Sequence, residues 1–98
     1  MILARVVGTV ISAKKDPRLE GFKLLIVRPV APDGKEEVGY IVAVDTIQAD
    51  SGELVMVVTG SGARFAEGCK DRPIDAAIVG VADEVALDTR LYKSLEKG

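Results

Sequence analysis

The stretch KLLIVRPVAPDG, residues 23–34, decides how the chain is built, because it has the pattern of a strand followed directly by a reverse turn. Its first half is rich in branched apolar residues, which favour a strand, and Pro29 ends that strand or places it at a sheet edge. The run PDG at residues 32–34 predicts the turn, since proline presets a negative φ and glycine tolerates a positive one. We therefore expect the chain to reverse here and to return as another strand over residues 39–46.

Three further segments on either side of this stretch carry a strand signature. Residues 2–13 predict a long strand in which Gly8 marks a bend or bulge, and the β-branched run at residues 53–59 predicts another. Residues 74–83 are almost continuously apolar, which indicates a strand buried on both faces. Five strands joined by Gly- and Pro-containing turns predict an all-β fold, a small five-stranded OB-like (Greek-key) barrel with one or two short helices.

The length of 98 residues predicts a single folded domain. We expect the barrel to occupy residues 1–85 and residues 86–98 to form a C-terminal tail that contains a short helix. Asp88 is the expected cap of that helix, and Leu91 and Leu95 would share one helix face. With few residues to anchor it, the tail is either loosely held or packed on a neighbouring subunit.

Composition excludes several classes of function. The net charge of −2 and the four scattered aromatic rings disfavour binding to nucleic acid or to an anionic membrane surface, and no apolar run approaches the length of a membrane span. The chain contains no histidine, which rules out Ser-His-Asp triads and most zinc sites. With a single cysteine, Cys69, no internal disulfide can form. We expect a cytoplasmic protein that is not an enzyme and has neither a cofactor nor a metal site.

The run GSGAR at residues 60–64 has the setting of an anion-binding loop but completes no known motif. A dinucleotide fingerprint would require glycine where Phe65 stands, and a nucleophile elbow would require glycine where Thr59 stands. We interpret the run as a tight turn that leads into one helical turn at residues 63–66, with Ser61 or the following glycine as its cap. The alternative is a loop that faces a ligand or a pore.

Three aspartates, Asp45, Asp75 and Asp83, lie within or beside apolar strands, where an isolated buried charge would be costly. We interpret them as members of structural ion pairs or as turn caps, with acid–base chemistry or Mg²⁺ binding as the alternative. The arginines considered as their partners are Arg5, Arg28 and Arg64.

Two remaining features favour ordinary solvated loops. Cys69 lies among charged residues and has no histidine to activate it, so we expect a solvent-facing thiol without a catalytic role. The cationic residues of segment 14–23 lie near Phe22 and would suit a phosphate, but acidic residues interrupt them, which favours a solvated surface.

Six segments of the chain, in the same order, resemble those of the EutN/CcmL family, the vertex proteins of bacterial microcompartments. These segments are MILARVVGTV (1–10), KLLIV (23–27), VAVDT (42–46), GE (52–53), GSGAR (60–64) and IDAAIVGVAD (74–83). The resemblance implies an OB-like barrel that assembles into a homopentamer and caps the five-fold corners of an icosahedral shell. The implied partners are further copies of this chain and the hexameric or trimeric proteins that tile the rest of the shell in the cytoplasm.

Two segments depart from the family pattern. The chain has QADSGE at residues 48–53 where Gly-Ala-Gly-x-Gly-Glu is usual, and SGAR at 61–64 where Ser-Ser-Ala-Arg is usual. If the first of these loops faces the five-fold axis, Asp50 repeats five times around it and alters the local preference for ions. The residues predicted to lie at a subunit interface or pore are Asp50, Gly60, Ser61, Gly62, Arg64 and Asp83. The alternative function is an OB-fold binding module for an oligonucleotide or small ligand.

Overall fold

Five strands form where the β-branched segments predicted them. The computed structural model describes the backbone of residues 1–97 and the side chains of residues 1–94. The strands are β1 (Ile2–Val10), β2 (Lys23–Pro29), β3 (Ile41–Asp45), β4 (Leu54–Thr59) and β5 (Ala76–Val81). Each lies within its predicted range but is shorter, because the sheet pairing stops before the ends of the predicted segments.

The strands close into a barrel in the order β1-β2-β3-β5-β4, with β4 pairing back onto β1. All neighbours are antiparallel except β3 and β5, which run parallel. The barrel closes with every strand next to two others, although β3 and β5 pair through only two residues of each strand. The predicted five-stranded barrel is confirmed.

The predicted bend or bulge at Gly8, the end of β2 at Pro29 and the turn after it are all present in the structure. The β1–β2 register shifts between Val6 and Gly8, so the predicted irregularity at Gly8 is confirmed. Pro29 is the last residue of β2. In the turn that follows, the Gly34 N–H donates to the Ala31 carbonyl at 2.9 Å, and Gly34 adopts a φ of 93°.

Two apolar clusters lie on opposite faces of the sheet. The barrel interior contains Leu25, Val27, Val55, Val57 and Ile78 as its largest fully buried residues. Residues of the opposite parity, including Leu24, Val44 and Ala77, belong to a second cluster on the outside of the barrel, where segment 60–75 packs against them.

The second cluster overturns one prediction. Cys69 is 0% exposed, so the expected solvent-facing thiol is wrong. Charged neighbours in sequence suggested a solvated loop, whereas Cys69 itself turns inward and packs with Ile74 and Ala63. This burial raises the pKa of the Cys69 thiol.

Helical structure is confined to short segments. Two 3-10 turns cover Pro17–Leu19 and Gly60–Phe65, and α1 covers Thr89–Lys97. Asp88 caps α1 as predicted, because its Oδ1 accepts from the Leu91 N–H at 3.1 Å. The side chain of Leu95, expected to share a face with Leu91, lies outside the described residues. No helix within residues 1–97 is long and apolar enough to cross a membrane.

Candidate functional site

The six predicted interface or pore residues separate into two groups at opposite ends of the barrel. Asp50 precedes β4 and Gly60 follows it, and the six residues of β4 span roughly 20 Å. Asp83 follows β5, whose end lies beside the start of β4, since the Ala82 N–H donates to the Leu54 carbonyl at 2.8 Å. Asp50 and Asp83 therefore share one end, whereas residues 60–64 lie at the other.

The loop between β3 and β4, residues 46–53, is held in place by Asp45. Its two carboxylate oxygens accept from the Ile47 N–H at 3.1 Å and from the Ala49 N–H at 2.9 Å. Asp45 thus acts as a turn cap, one of the two roles predicted for it.

The same loop presents Asp50 to solvent. The Asp50 N–H donates to Glu53 Oε1 at 2.6 Å, and the Arg5 guanidinium donates to the Gly52 carbonyl at 2.8 Å. These bonds hold the loop backbone, while the Asp50 carboxylate is exposed and has no partner among residues 1–94. Asp50 is therefore free to face a channel or another subunit.

None of the proposed pairs between aspartates and arginines forms within the protomer. Asp75 and Asp83 are exposed, because β5 is shorter than predicted and both residues lie outside it. The Arg28 guanidinium lies 3.5 Å from the Glu36 carboxylate instead. The Arg5 guanidinium donates to the Gly52 carbonyl of the loop between β3 and β4. A carboxylate in contact with water needs no cationic partner.

The 3-10 turn at Gly60–Phe65, here called the GSGARF turn, is anchored at its start and middle. Gly60 has a φ of 66° and its N–H donates to the Asp75 carbonyl at 2.7 Å. Ala63 is fully buried in the outer cluster. The N-cap position of the turn is occupied by Thr59, whose side chain makes no capping hydrogen bond. The predicted capping by Ser61 or Gly62 is therefore wrong. The helical turn starts directly at the end of β4, which places both residues inside it.

The anchored turn displays Arg64 and Phe65 on the surface. Phe65 is 92% exposed, and Arg64 forms no hydrogen bond or ion pair within residues 1–94. Arginine and aromatic side chains are enriched at protein interfaces. Phe65 was not among the predicted interface residues, because in sequence it stands out only as a residue that breaks a glycine motif. The signal was present in its position, beside an arginine in a glycine-rich turn.

The cationic segment around Phe22 is occupied by local contacts. Arg18 forms an ion pair with Asp16 at 2.8 Å, and the hydrogen bond from Arg18 lowers the pKa of Asp16 to about 2. The guanidinium of Arg72 lies 5.5 Å from the centre of the Phe22 ring. The half-buried ring of Phe22 is therefore not an open stacking surface for a base, and the OB-type binding module is not favoured.

Known proteins that resemble this chain share its barrel and its length. Residues 1–83 match the model of the family described as "Ethanolamine utilisation protein EutN/carboxysome". The chain belongs to the EutN/CcmL family. Within it, the carboxysome shell vertex protein CcmL of Synechocystis sp. is 42% identical over 99 residues, which cover 100% of this chain and 99% of that protein.

Other members of the EutN/CcmL family give the same picture. The bacterial microcompartment shell vertex protein PduN of Salmonella typhimurium is 44% identical over 90 residues, covering 88% of this chain and 99% of that protein. The solved structure of the GrpN pentameric microcompartment shell protein from Rhodospirillum rubrum matches with a TM-score of 0.82 and 40% identity, covering 89% of this chain and 99% of that chain. The predicted family is confirmed, and so is the expectation of a structural protein rather than an enzyme.

Proposed function

We propose that this chain forms a homopentamer that caps the five-fold vertices of a bacterial microcompartment shell. The observation that carries the proposal is the match to a pentameric shell protein over 89% of this chain and 99% of that one. A match of this extent leaves no large insertion that would change how barrels meet. The barrel over residues 1–85 would carry the assembly, and residues 86–98 would form a separate tail.

The closed barrel restricts how its copies can associate. Because most strand edges are already paired within the barrel, we expect contacts between copies to be made mainly by loops and outward-facing side chains. A five-membered ring also requires heterologous contacts, in which one patch of a protomer meets a different patch of the next. The exposed GSGARF turn can supply one of the two patches.

The two groups of predicted residues suit different places in such a ring. Asp and Glu are depleted in the cores of protein interfaces, whereas Arg is enriched there. Asp50 and Asp83, which are exposed, suit a water-lined passage near the five-fold axis. Five copies of each would attract cations and repel anions there. Gly60, Ser61, Gly62 and Arg64 suit the contact between subunits.

The shell role implies partners beyond the pentamer. Hexameric or trimeric shell proteins would surround each vertex in the cytoplasm, and the pentamer would supply the curvature that flat tiles lack. This part of the proposal is supported by the similarity to CcmL and PduN, which are shell vertex proteins.

Two measurements separate the parts of the proposal. Native mass spectrometry of the wild-type protein at micromolar concentration should show five chains, and a strict monomer or dimer would refute the assembly. Co-expression with hexameric shell proteins, followed by electron microscopy, should show closed shells only when this chain is present. A pentamer that fails to close such shells would refute the vertex role while leaving the assembly intact.

A further inference from the structure

An apolar groove lies at the end of the barrel where β1 begins. It has a volume of about 310 Å³ and is bounded by Met1 and Ile2 on one side and by Val30 and Pro32 on the other. One carboxylate, that of Glu37, also lines it. The groove is therefore lined mainly by apolar side chains, and Glu37 contributes the only carboxylate among the described residues that line it.

The walls of this groove are held by backbone hydrogen bonds. The Val30 N–H donates to the Leu3 carbonyl at 3.0 Å, and the Glu37 N–H donates to the Pro29 carbonyl at 2.9 Å. The groove is therefore preformed, which lowers the entropy lost when it is filled. The Glu37 side chain is exposed and has no hydrogen bond or ion pair with any side chain of residues 1–94.

The GSGARF turn carries the chemistry that this groove lacks. Phe65 is a large apolar ring that is 92% exposed, so it does not fill the groove of its own protomer. Arg64, beside it, is a cation without a partner among the described residues. The groove offers an apolar slot with an unpaired anion, and the turn offers an apolar ring with an unpaired cation.

The groove and the turn also lie at the same end of the barrel. Ile2 pairs with Val57, so the start of β1 lies beside the end of β4, from which the GSGARF turn follows. In a pentamer whose five-fold axis runs along the barrel, rotation preserves height, and the two patches of a heterologous contact must lie at one level. The groove and the turn satisfy this condition.

We propose that Phe65 of one protomer inserts into the groove of the next, where Arg64 pairs with Glu37 at the rim. This inference rests on the proposed homopentamer and names the contact that holds it together. Each protomer contributes one Phe65 side chain and one groove. Closure of the pentamer therefore fills every groove and leaves no Phe65 exposed. A charge-assisted pair of Arg with a carboxylate, frequently bidentate, would also set the angle between neighbours.

The first test removes the phenyl ring of Phe65. Phe65→Ala should raise the concentration at which the pentamer is half dissociated by about 30-fold or more, the scale of an interface hot spot. Ile11→Ala is the matched control, because Ile11 is 94% exposed and follows the opposite end of β1. The control should change that concentration by no more than about 3-fold. Both variants should retain the wild-type circular dichroism spectrum, since neither side chain is packed in the protomer.

The second test exchanges the charges. Arg64→Glu and Glu37→Arg should each weaken the pentamer, and the double variant should recover most of the loss, because the pair is restored in reverse. Disulfide cross-linking tests whether position 65 of one protomer lies next to position 32 of its neighbour. Chains with Phe65→Cys and differently tagged chains with Pro32→Cys, when co-expressed, should cross-link to each other. Buried Cys69 should not react.

The outcomes distinguish this inference from the proposed function. A wild-type protein that is not a pentamer refutes both. A wild-type pentamer that tolerates Phe65→Ala, or in which the charge exchange gives no recovery, refutes the contact alone. Cross-links between two Phe65→Cys chains, in place of mixed ones, would show an isologous contact and would equally overturn it.

Discussion

Replacing Asp45 with alanine tests whether one carboxylate holds the loop that carries Asp50. In the wild type, Asp45 accepts from the N–H groups of Ile47 and Ala49 at 3.1 and 2.9 Å. Alanine removes both acceptors at once and introduces no new contact. The loop would then lose the bonds that fix its departure from β3.

The size of the effect follows from the burial of the two donors. Ala49 is 1% exposed, so its N–H is left without an acceptor in a site that water reaches poorly, at a cost of about 1–3 kcal/mol. Ile47 is exposed, so water replaces its lost bond for about 0.5 kcal/mol. Asp45→Ala should therefore lower the free energy of unfolding by roughly 1.5–3.5 kcal/mol.

Urea unfolding monitored by circular dichroism measures this loss directly. Protein concentration must be held constant, because unfolding of an assembled protein depends on it. Asp45→Asn should lose about half as much, since the amide oxygen keeps one acceptor while its NH₂ opposes the other donor. Asp33→Ala is the control: its Oδ1 accepts only from the exposed Lys35 N–H at 3.0 Å, and it should cost no more than about 0.5 kcal/mol. If Asp45→Ala and Asp33→Ala were equally stable, the capping role of Asp45 would be wrong.

Four further predictions concern the surface and the buried thiol. Arg64→Ala should shift the native mass spectrum from five chains toward fewer while the circular dichroism spectrum stays unchanged, and unaltered assembly would remove Arg64 from the interface. Cys69 should resist alkylation at pH 8 in the native protein and react in urea, because burial raises the pKa of its thiol and blocks access; rapid native labelling would contradict its buried position. The pKa of Asp16, followed by NMR, should be about 2 and should return toward 3.8 in Arg18→Ala. Because the folded pKa lies below the unfolded one, the contribution of this pair to folding stability is present above about pH 4 and is lost as the pH falls through about 2. A fluorescent single-stranded oligonucleotide should show no saturable binding at low ionic strength, and micromolar binding that weakens with salt would revive the binding-module alternative.

Local signals predicted the strands and turns well because they act over a few residues. The turn at residues 32–34 depends only on the conformations of proline and glycine, and Gly34 indeed has a positive φ. Strand ends were predicted less well. Residues 74–83 were predicted to form one strand, but the pairing of β5 begins after Asp75 and ends before Asp83. Whether an end residue joins a ladder depends on the strand opposite, which the local pattern does not contain.

The position of each side chain relative to the core required the fold. Cys69 lies in a polar loop by sequence, and only the packing of segment 60–75 on the outside of the barrel buries it. Ser61 was a reasonable cap by residue type, but the turn begins one residue before it. Arg28 was expected to pair with an aspartate, whereas its partner Glu36 comes from the loop that follows its own strand.

The sequence by itself determined the number of strands, the main turns, the family and the absence of histidine, because these depend on residue types and their spacing. Only the tertiary structure decided which candidate residues meet. Closure of the barrel pairs Ile2 with Val57 and aligns β3 with β5, and so brings the groove and the GSGARF turn to one end and leaves Asp50 at the other. Such contacts join residues far apart in the chain, and their geometry is set by the register of the whole barrel rather than by any local preference.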